Sequence, residues 1–280
     1  MKRINYNENT GDLEVPLDLL SDGILRAKKE KKHNIKIVAP NSNLNYEPAL
    51  KPLINNENIF SIYIADDVNL KKINLEPLYS LKNIKKLSIQ YFKGHIDFFK
   101  LPTLEILYIT KADSEIDRLF IDGLKELLLV SIKNTDCSFI SSLPNLKNLR
   151  ISSAQIKSLS GVEPLDKLES LKLNYCPKLT DISSINKLKN LSSLHIEKCK
   201  NLNNFTPLSN NDSISDLFLS SADSLQFIPT MKHIKLLKFW DLKDGNLNFL
   251  LDSPSLERVD FYPQKKHYTH KKDEINNLIK

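Results

Sequence analysis

A chain of 280 residues is long for one compact core and, by size alone, would hold one large or two ordinary domains. An apolar fraction of 41% and a charged fraction of 26% exclude a disordered chain, and only six glycines argue against glycine-rich phosphate loops and a protein of many tight hairpin turns. A net charge of +6 is too mild by itself to indicate nucleic acid.

The chain begins MKRINYNENTGDLEVPLDLL, which carries charge but no apolar run of signal-peptide length. No later segment reaches membrane-spanning length, so a cytoplasmic protein without membrane contact is expected. Three cysteines, an odd number, do not suggest a disulfide framework and fit a reducing compartment. The basic run RAKKEKKH (Arg26 to His33) contains Glu30 and no aromatic residue, so it reads as a solvated face ahead of a strand rather than a site for phosphate or anionic lipid.

The next stretch, NIKIVAPNSNLNYEPALKPL, has the frame of SIYIADDVNLKKINLEPLYSL further on. Residues 1–58 are therefore expected to form an N-terminal cap with an atypical first repeat. From Ile59 the template L-x-x-L-x-[LI] recurs, with further starts at Ile84, Leu104, Leu124, Leu146, Leu168, Leu191, Ile214, Ile234 and Leu256. The steps are 25, 20, 20, 22, 22, 23, 23, 20 and 22 residues. Alternation puts Leu171 and Leu173, or Leu194 and Ile196, on one side of a short strand of three to five residues, with Lys172 or His195 on the other. The apolar residues that follow, such as Leu179, Ile182, Ile185 and Leu188, recur every third position and suit a 3₁₀-like return. One such unit buries too little to stand alone, and stacking its neighbours supplies the rest.

This pattern resembles the leucine-rich repeat class, closest to the short bacterial internalin-like or phosphatase-regulator-like type, over roughly residues 32–262. The tail DLKDGNLNFLLDSPSLERVDFYPQKKHYTHKKDEI resembles the end of a group of bacterial cytosolic repeat proteins. The resemblance implies an α/β solenoid. It would be a horseshoe with one continuous parallel β-sheet on its concave face and 3₁₀ turns, short helices or loops on its convex side. Ten repeats over 59–262 would be followed by a C-terminal cap over 263–280, all in one structural domain and a monomer. Unlike secreted internalins, the protein is expected to carry no signal peptide or surface anchor. It also lacks the LPxLP prolines and the ligase domain of bacterial effector repeats.

Cys176 and Cys199 fall where this class uses Asn or Cys at the turn leaving the strand, and Ala112, Ala154 and Ala222 hold the equivalent place elsewhere. That column takes small residues. No third cysteine or histidine stands at ligand spacing, so neither a metal nor a cofactor is expected. Asp66 and Asp67 read as strand-exit residues. His267 and His270 belong to a tail in which Tyr268, Ile275 and Leu278 are expected to cover the last repeat. No catalytic motif is present, and a non-enzymatic protein is expected.

The outward strand positions do not repeat. Between the two apolar positions they read Tyr63, Ser88, Tyr108, Leu128, Arg150, Lys172, His195, Phe218, Lys238 and Asp260. Two places after the second they read Asp66, Tyr91, Lys111, Ser131, Ser153, Tyr175, Lys198, Ser221, Asp241 and Pro263, with Trp240 and Tyr262 between the columns. Exposed Tyr, Phe and Trp mixed with Lys and Arg are the residues that carry interface energy. The expected partner-binding set is Tyr63, Tyr91, Tyr108, Arg150, Lys172, Tyr175, His195, Lys198, Phe218, Lys238, Trp240 and Tyr262. The partner would be a protein with acidic patches, and the role that of an immunity protein, inhibitor or adaptor. The alternative, nucleic acid on the same face, is disfavoured because Asp66, Glu105, Glu126, Glu169, Glu197 and Asp241 interrupt it. No small-molecule substrate is expected.

Overall fold

The computed structural model describes residues 2–42 and 48–279. The middle of the atypical first repeat, 43–47, lies outside the described residues. The chain divides into two compact units, residues 1–129 and 130–280.

The first unit opens with a hairpin, β1 (Asn5–Asn7) antiparallel to β2 (Asp12–Pro16). Helix α1 (Leu20–Glu30) follows, burying Leu20, Gly23, Ile24 and Ala27 at helical spacing. Gly23 is required by close approach, because a Cβ there would lie 2.5 Å from a Val15 methyl. The basic run expected to be solvated occupies the last turns of this helix, where Lys31 takes a left-handed conformation and ends it. Strands β3 (Asn34–Val38), β4 (Ser61–Ile64), β5 (Lys86–Tyr91), β6 (Ile106–Ala112) and β7 (Glu126–Val130) come next. From β2 to β7 each pairs in parallel with its neighbour in the chain.

The second unit repeats the plan with β8 (Asn148–Ser152), β9 (Ser170–Asn174), β10 (Ser193–Glu197), β11 (Asp216–Leu219), β12 (Leu236–Phe239) and β13 (Arg258–Phe261), again parallel and in chain order. Short 3₁₀ turns such as Ser183–Lys187 and Thr206–Leu208 return the chain. The template Leu and Ile residues, Leu171, Leu173, Leu194 and Ile196 among them, are buried between strands and returns. Burial of each contributes about 2 kcal/mol. The expected 3₁₀ character of the returns is found, but β5 and β6 run to six and seven residues, longer than the alternation implied. They pair beyond the template around an irregularity after Ile89, where Gln90 and Tyr91 pair with Lys111 and Ala112.

Helix α2 (Lys272–Leu278) follows β13. Asn276 accepts from the Val259 N–H at 2.9 Å and donates to the Val259 carbonyl at 2.8 Å, occupying edge groups of the last strand. Tyr268 packs edge-on against Phe239 and Phe261, and its hydroxyl accepts from the Leu242 N–H at 3.1 Å. Ile275 is buried, whereas Leu278, expected to cover the repeat with them, stands exposed.

Candidate functional site

The outward columns follow from register. Arg150, Lys172, His195, Phe218, Lys238 and Asp260 stand opposite one another across β8 to β13, each flanked in sequence by two inward apolar residues. His195 stacks on Phe218 with centroids 4.2 Å apart, and Phe218 meets Trp240 edge-on at 5.0 Å. Burial lowers the pKa of His195 despite its contact with Glu197, favouring the neutral ring.

At the strand exits the backbone turns left-handed. Ser131, Ser153, Tyr175 and Lys198 have φ between 52° and 54°. In the first three the amide donates to the next strand, Ser131 to Ser152, Ser153 to Asn174 and Tyr175 to Glu197, and the Lys198 amide donates to the Ser220 hydroxyl at 2.7 Å. This geometry disfavours residues with a Cβ by roughly 1–2 kcal/mol each, and here it holds Tyr175 and Lys198. The Lys198 ammonium donates to the Tyr175 hydroxyl at 3.1 Å and lies 5.0 Å from that ring and 5.9 Å from the Trp240 ring. Tyr175 is 47% exposed and Trp240 41%. Tyr262 is open to solvent beyond them.

Most acids on this face are engaged by the chain itself, the exception being Asp216, outward with Phe218 on β11, which makes no ion pair among the described residues. Asp241 bonds Lys265, Asp260 bonds Lys272 at 3.0 Å, Glu169 bonds Lys147 at 2.8 Å, and Glu197 accepts from Asn174 at 3.2 Å. Arg150, Lys172 and Lys238 make no ion pair among the described residues. Of the acids taken as interruptions in this unit, Glu169 and Asp241 are paired with lysines, whereas Glu197 keeps its charge beside Arg150, Lys172, Lys198 and Lys238.

The first unit differs. Tyr63, Ser88, Tyr108 and Leu128 stand in register there too. Tyr63 is half-buried with Lys36 above its ring, and Tyr108 is half-buried and donates to Glu126. Tyr91, expected on the surface, is 2% exposed. Because Gln90 pairs with Lys111, Tyr91 pairs with Ala112 and falls in the inward small-residue column, its hydroxyl bonded to Asp117 at 2.8 Å. Asp66 accepts from Thr110 and Gln90, as a strand-exit residue does.

The cysteines are buried and free. Cys176 points its thiol at the Asn174 carbonyl, 3.5 Å away, Cys199 points its own at the Leu173 and Glu197 carbonyls, and the neighbouring Cys176 together with burial pushes the Cys199 thiol up. His267 and His270 bond a backbone carbonyl and Asn248, respectively, and no group of three metal-ligating side chains exists among the described residues. No described helix is long and apolar enough to cross a membrane. Sequence reading missed the turn residues next to Trp240, namely Lys200, Leu202 and Phe205, which follow the strand rather than lie on it.

No family model and no curated protein matches the sequence. Solved structures do. An internalin (InlF) from Listeria monocytogenes str. 4b F2365 is similar over 93% of this chain and 85% of that one, at 16% identity and a TM-score of 0.60. TLR13, solved as a complex with ssRNA13, is similar over 90% of this chain and 39% of that one, at 20% identity and a TM-score of 0.55. Identities this low establish architecture alone. With parallel strands in chain order, 3₁₀ returns and a buried L-x-L frame, the chain has the leucine-rich repeat fold, an α/β solenoid of the kind found in internalins.

Proposed function

We propose that this protein is a non-enzymatic scaffold that binds another protein through the strand face of its second unit. The observation that carries the reading is the contiguity of the aromatic run His195–Phe218–Trp240 with Arg150, Lys172 and Lys238, cations that make no ion pair among the described residues. Aromatic anchors supply area at low entropic cost, and unpaired cations steer and orient a partner of opposite charge. The partner's docking segment is acidic. The first unit contributes structure to this scaffold rather than contact, since Tyr63 and Tyr108 are engaged internally. A cytoplasmic immunity protein, inhibitor or adaptor fits such a face, and a repeat stack needs no catalytic group to serve as one.

The test is recovery of partners from the native host by the wild-type chain and by two variants, Tyr175→Ala with Trp240→Ala, and Lys172→Glu with Lys238→Glu. One protein retained by the wild type and lost by both variants is expected, with affinity falling at least tenfold, as loss of an interface anchor gives. Unchanged recovery by both variants refutes the reading. Nucleic acid is the competing occupant of a positive aromatic strip, and it would declare itself by nuclease-sensitive recovery and a steep loss of affinity with salt.

A further inference from the structure

Beside Trp240, at the strand-exit edge of β10 to β12, lies a depression of about 370 Å³. Its floor is the buried Cys199, Leu202 and Phe205, its wall is the Trp240 ring, and Ser220 and Ser221 leave the mouth open. Its rim is basic. Lys198 and Lys200 border it, and Lys200 makes no ion pair among the described residues. The two acids at the rim are neutralised within the chain, Asp223 by Lys243 at 2.6 Å and Asp241 by Lys265.

Resting on the reading of this face as a protein-binding surface, we propose that the depression is the socket for one large apolar side chain of the partner, carried within an acidic segment. The depression is continuous with the strip through Lys198 and Trp240, which belong to both. An apolar floor under a polar mouth gains most when a side chain displaces water from it, and interface energy concentrates in such sockets. Negative charge flanking the inserted residue meets Lys198 and Lys200, the rim acids Asp223 and Asp241 being paired with Lys243 and Lys265. The left-handed backbone at Lys198 and the contacts of its ammonium with Tyr175 and Trp240 fix one side of the mouth before the partner arrives, which lowers the ordering cost of binding.

The test is a nuclear magnetic resonance titration of the full chain with three probes: the amidated, acetylated peptide Glu-Glu-Leu-Glu-Glu, the same peptide with Gly in place of Leu, and a short oligothymidylate. The leucine peptide is expected to shift the Trp240 indole N–H and the Lys200 and Phe205 amides saturably, and to bind roughly tenfold more tightly than the glycine peptide, as burial of one leucine implies. A Ser221→Trp variant, which fills the mouth from a partly exposed position, should erase the advantage of leucine while preserving the melting temperature and the shifts at Arg150 and Lys172. Equal binding of the two peptides, or an oligothymidylate that shifts the socket as strongly as the leucine peptide, overturns the proposal. Shifts confined to Arg150, Lys172 and Lys238 would remove the socket and leave the binding face standing. No response to any probe would remove both.

Discussion

Tyr91 shows what a single misplaced residue changes. In five other repeats its column is filled by Ala112, Ala154, Cys176, Cys199 and Ala222, all buried, with Leu242 following Ala222. Here a phenol fills it, and its hydroxyl both donates to the Asp117 carboxylate and accepts from the Asp117 N–H. Burial pushes the phenols of Tyr91 and Tyr108 up to about 12. The folded state therefore favours the neutral phenol. The stability this gives is complete below the ordinary tyrosine pKa of about 10 and is lost as pH rises through 12. Spectrophotometric titration should show the Tyr91 and Tyr108 phenolates forming late, and Tyr91→Phe should remove one of them while lowering stability by roughly 0.5–1.5 kcal/mol through its lost hydrogen bonds to the exposed Asp117. A single transition near the ordinary tyrosine value for every ring would refute this. Alternation along β5 puts Tyr91 on the inward side with Leu87 and Ile89; what the repeat template did not carry is that β5 runs on through Tyr91, where other repeats turn at this place. The extra residue that keeps it in pairing with Ala112 is Thr110 in the partner strand.

At the scale of elements, the strands and returns were legible and the turns between them were not. Apolar alternation marks a strand because one face must be buried, and the pattern found β4 to β13. The hairpin, β2 and α1 escaped it, being built once rather than repeated. The left-handed turns escaped it for another reason. Gly and Asn are the usual signals of that conformation, and Ser131, Ser153, Tyr175 and Lys198 are neither. What holds them is the hydrogen bond each amide donates to the next repeat, to a strand carbonyl from the first three and to the Ser220 hydroxyl from Lys198. Tyr175→Gly should accordingly raise stability by about 1 kcal/mol, since glycine takes this conformation without a Cβ penalty. The same change removes an exposed anchor, so partner affinity should fall while the melting temperature rises. A variant that unfolds earlier than the wild type would show that the ring, not the backbone, sets the turn. The columns proposed to bind a partner were legible only as positions. Which cations are free depends on Lys265 and Lys272, which reach Asp241 and Asp260 from beyond the last strand.

At the scale of the molecule, stability in a repeat stack is a sum of neighbour terms, and the ends carry a disproportionate share. We infer that residues 264–280 act as a cap. Their removal takes away Tyr268 and Ile275, frees the Val259 backbone and strips Asp241 and Asp260 of their lysines. A chain ending at Pro263 should aggregate or lose cooperative unfolding in denaturant. A soluble monomer with an unchanged midpoint would show that the last strand protects itself.

The order of the strands has a bearing on how the chain is made. Partners in β9 and β10 lie 23 residues apart, a short step in a chain of 280. A repeat leaving the ribosome within either unit meets a strand already in place, so docking can keep pace with synthesis. At each moment the growing end exposes one unpaired edge, and that edge passes from strand to strand until α2 is released to cover it.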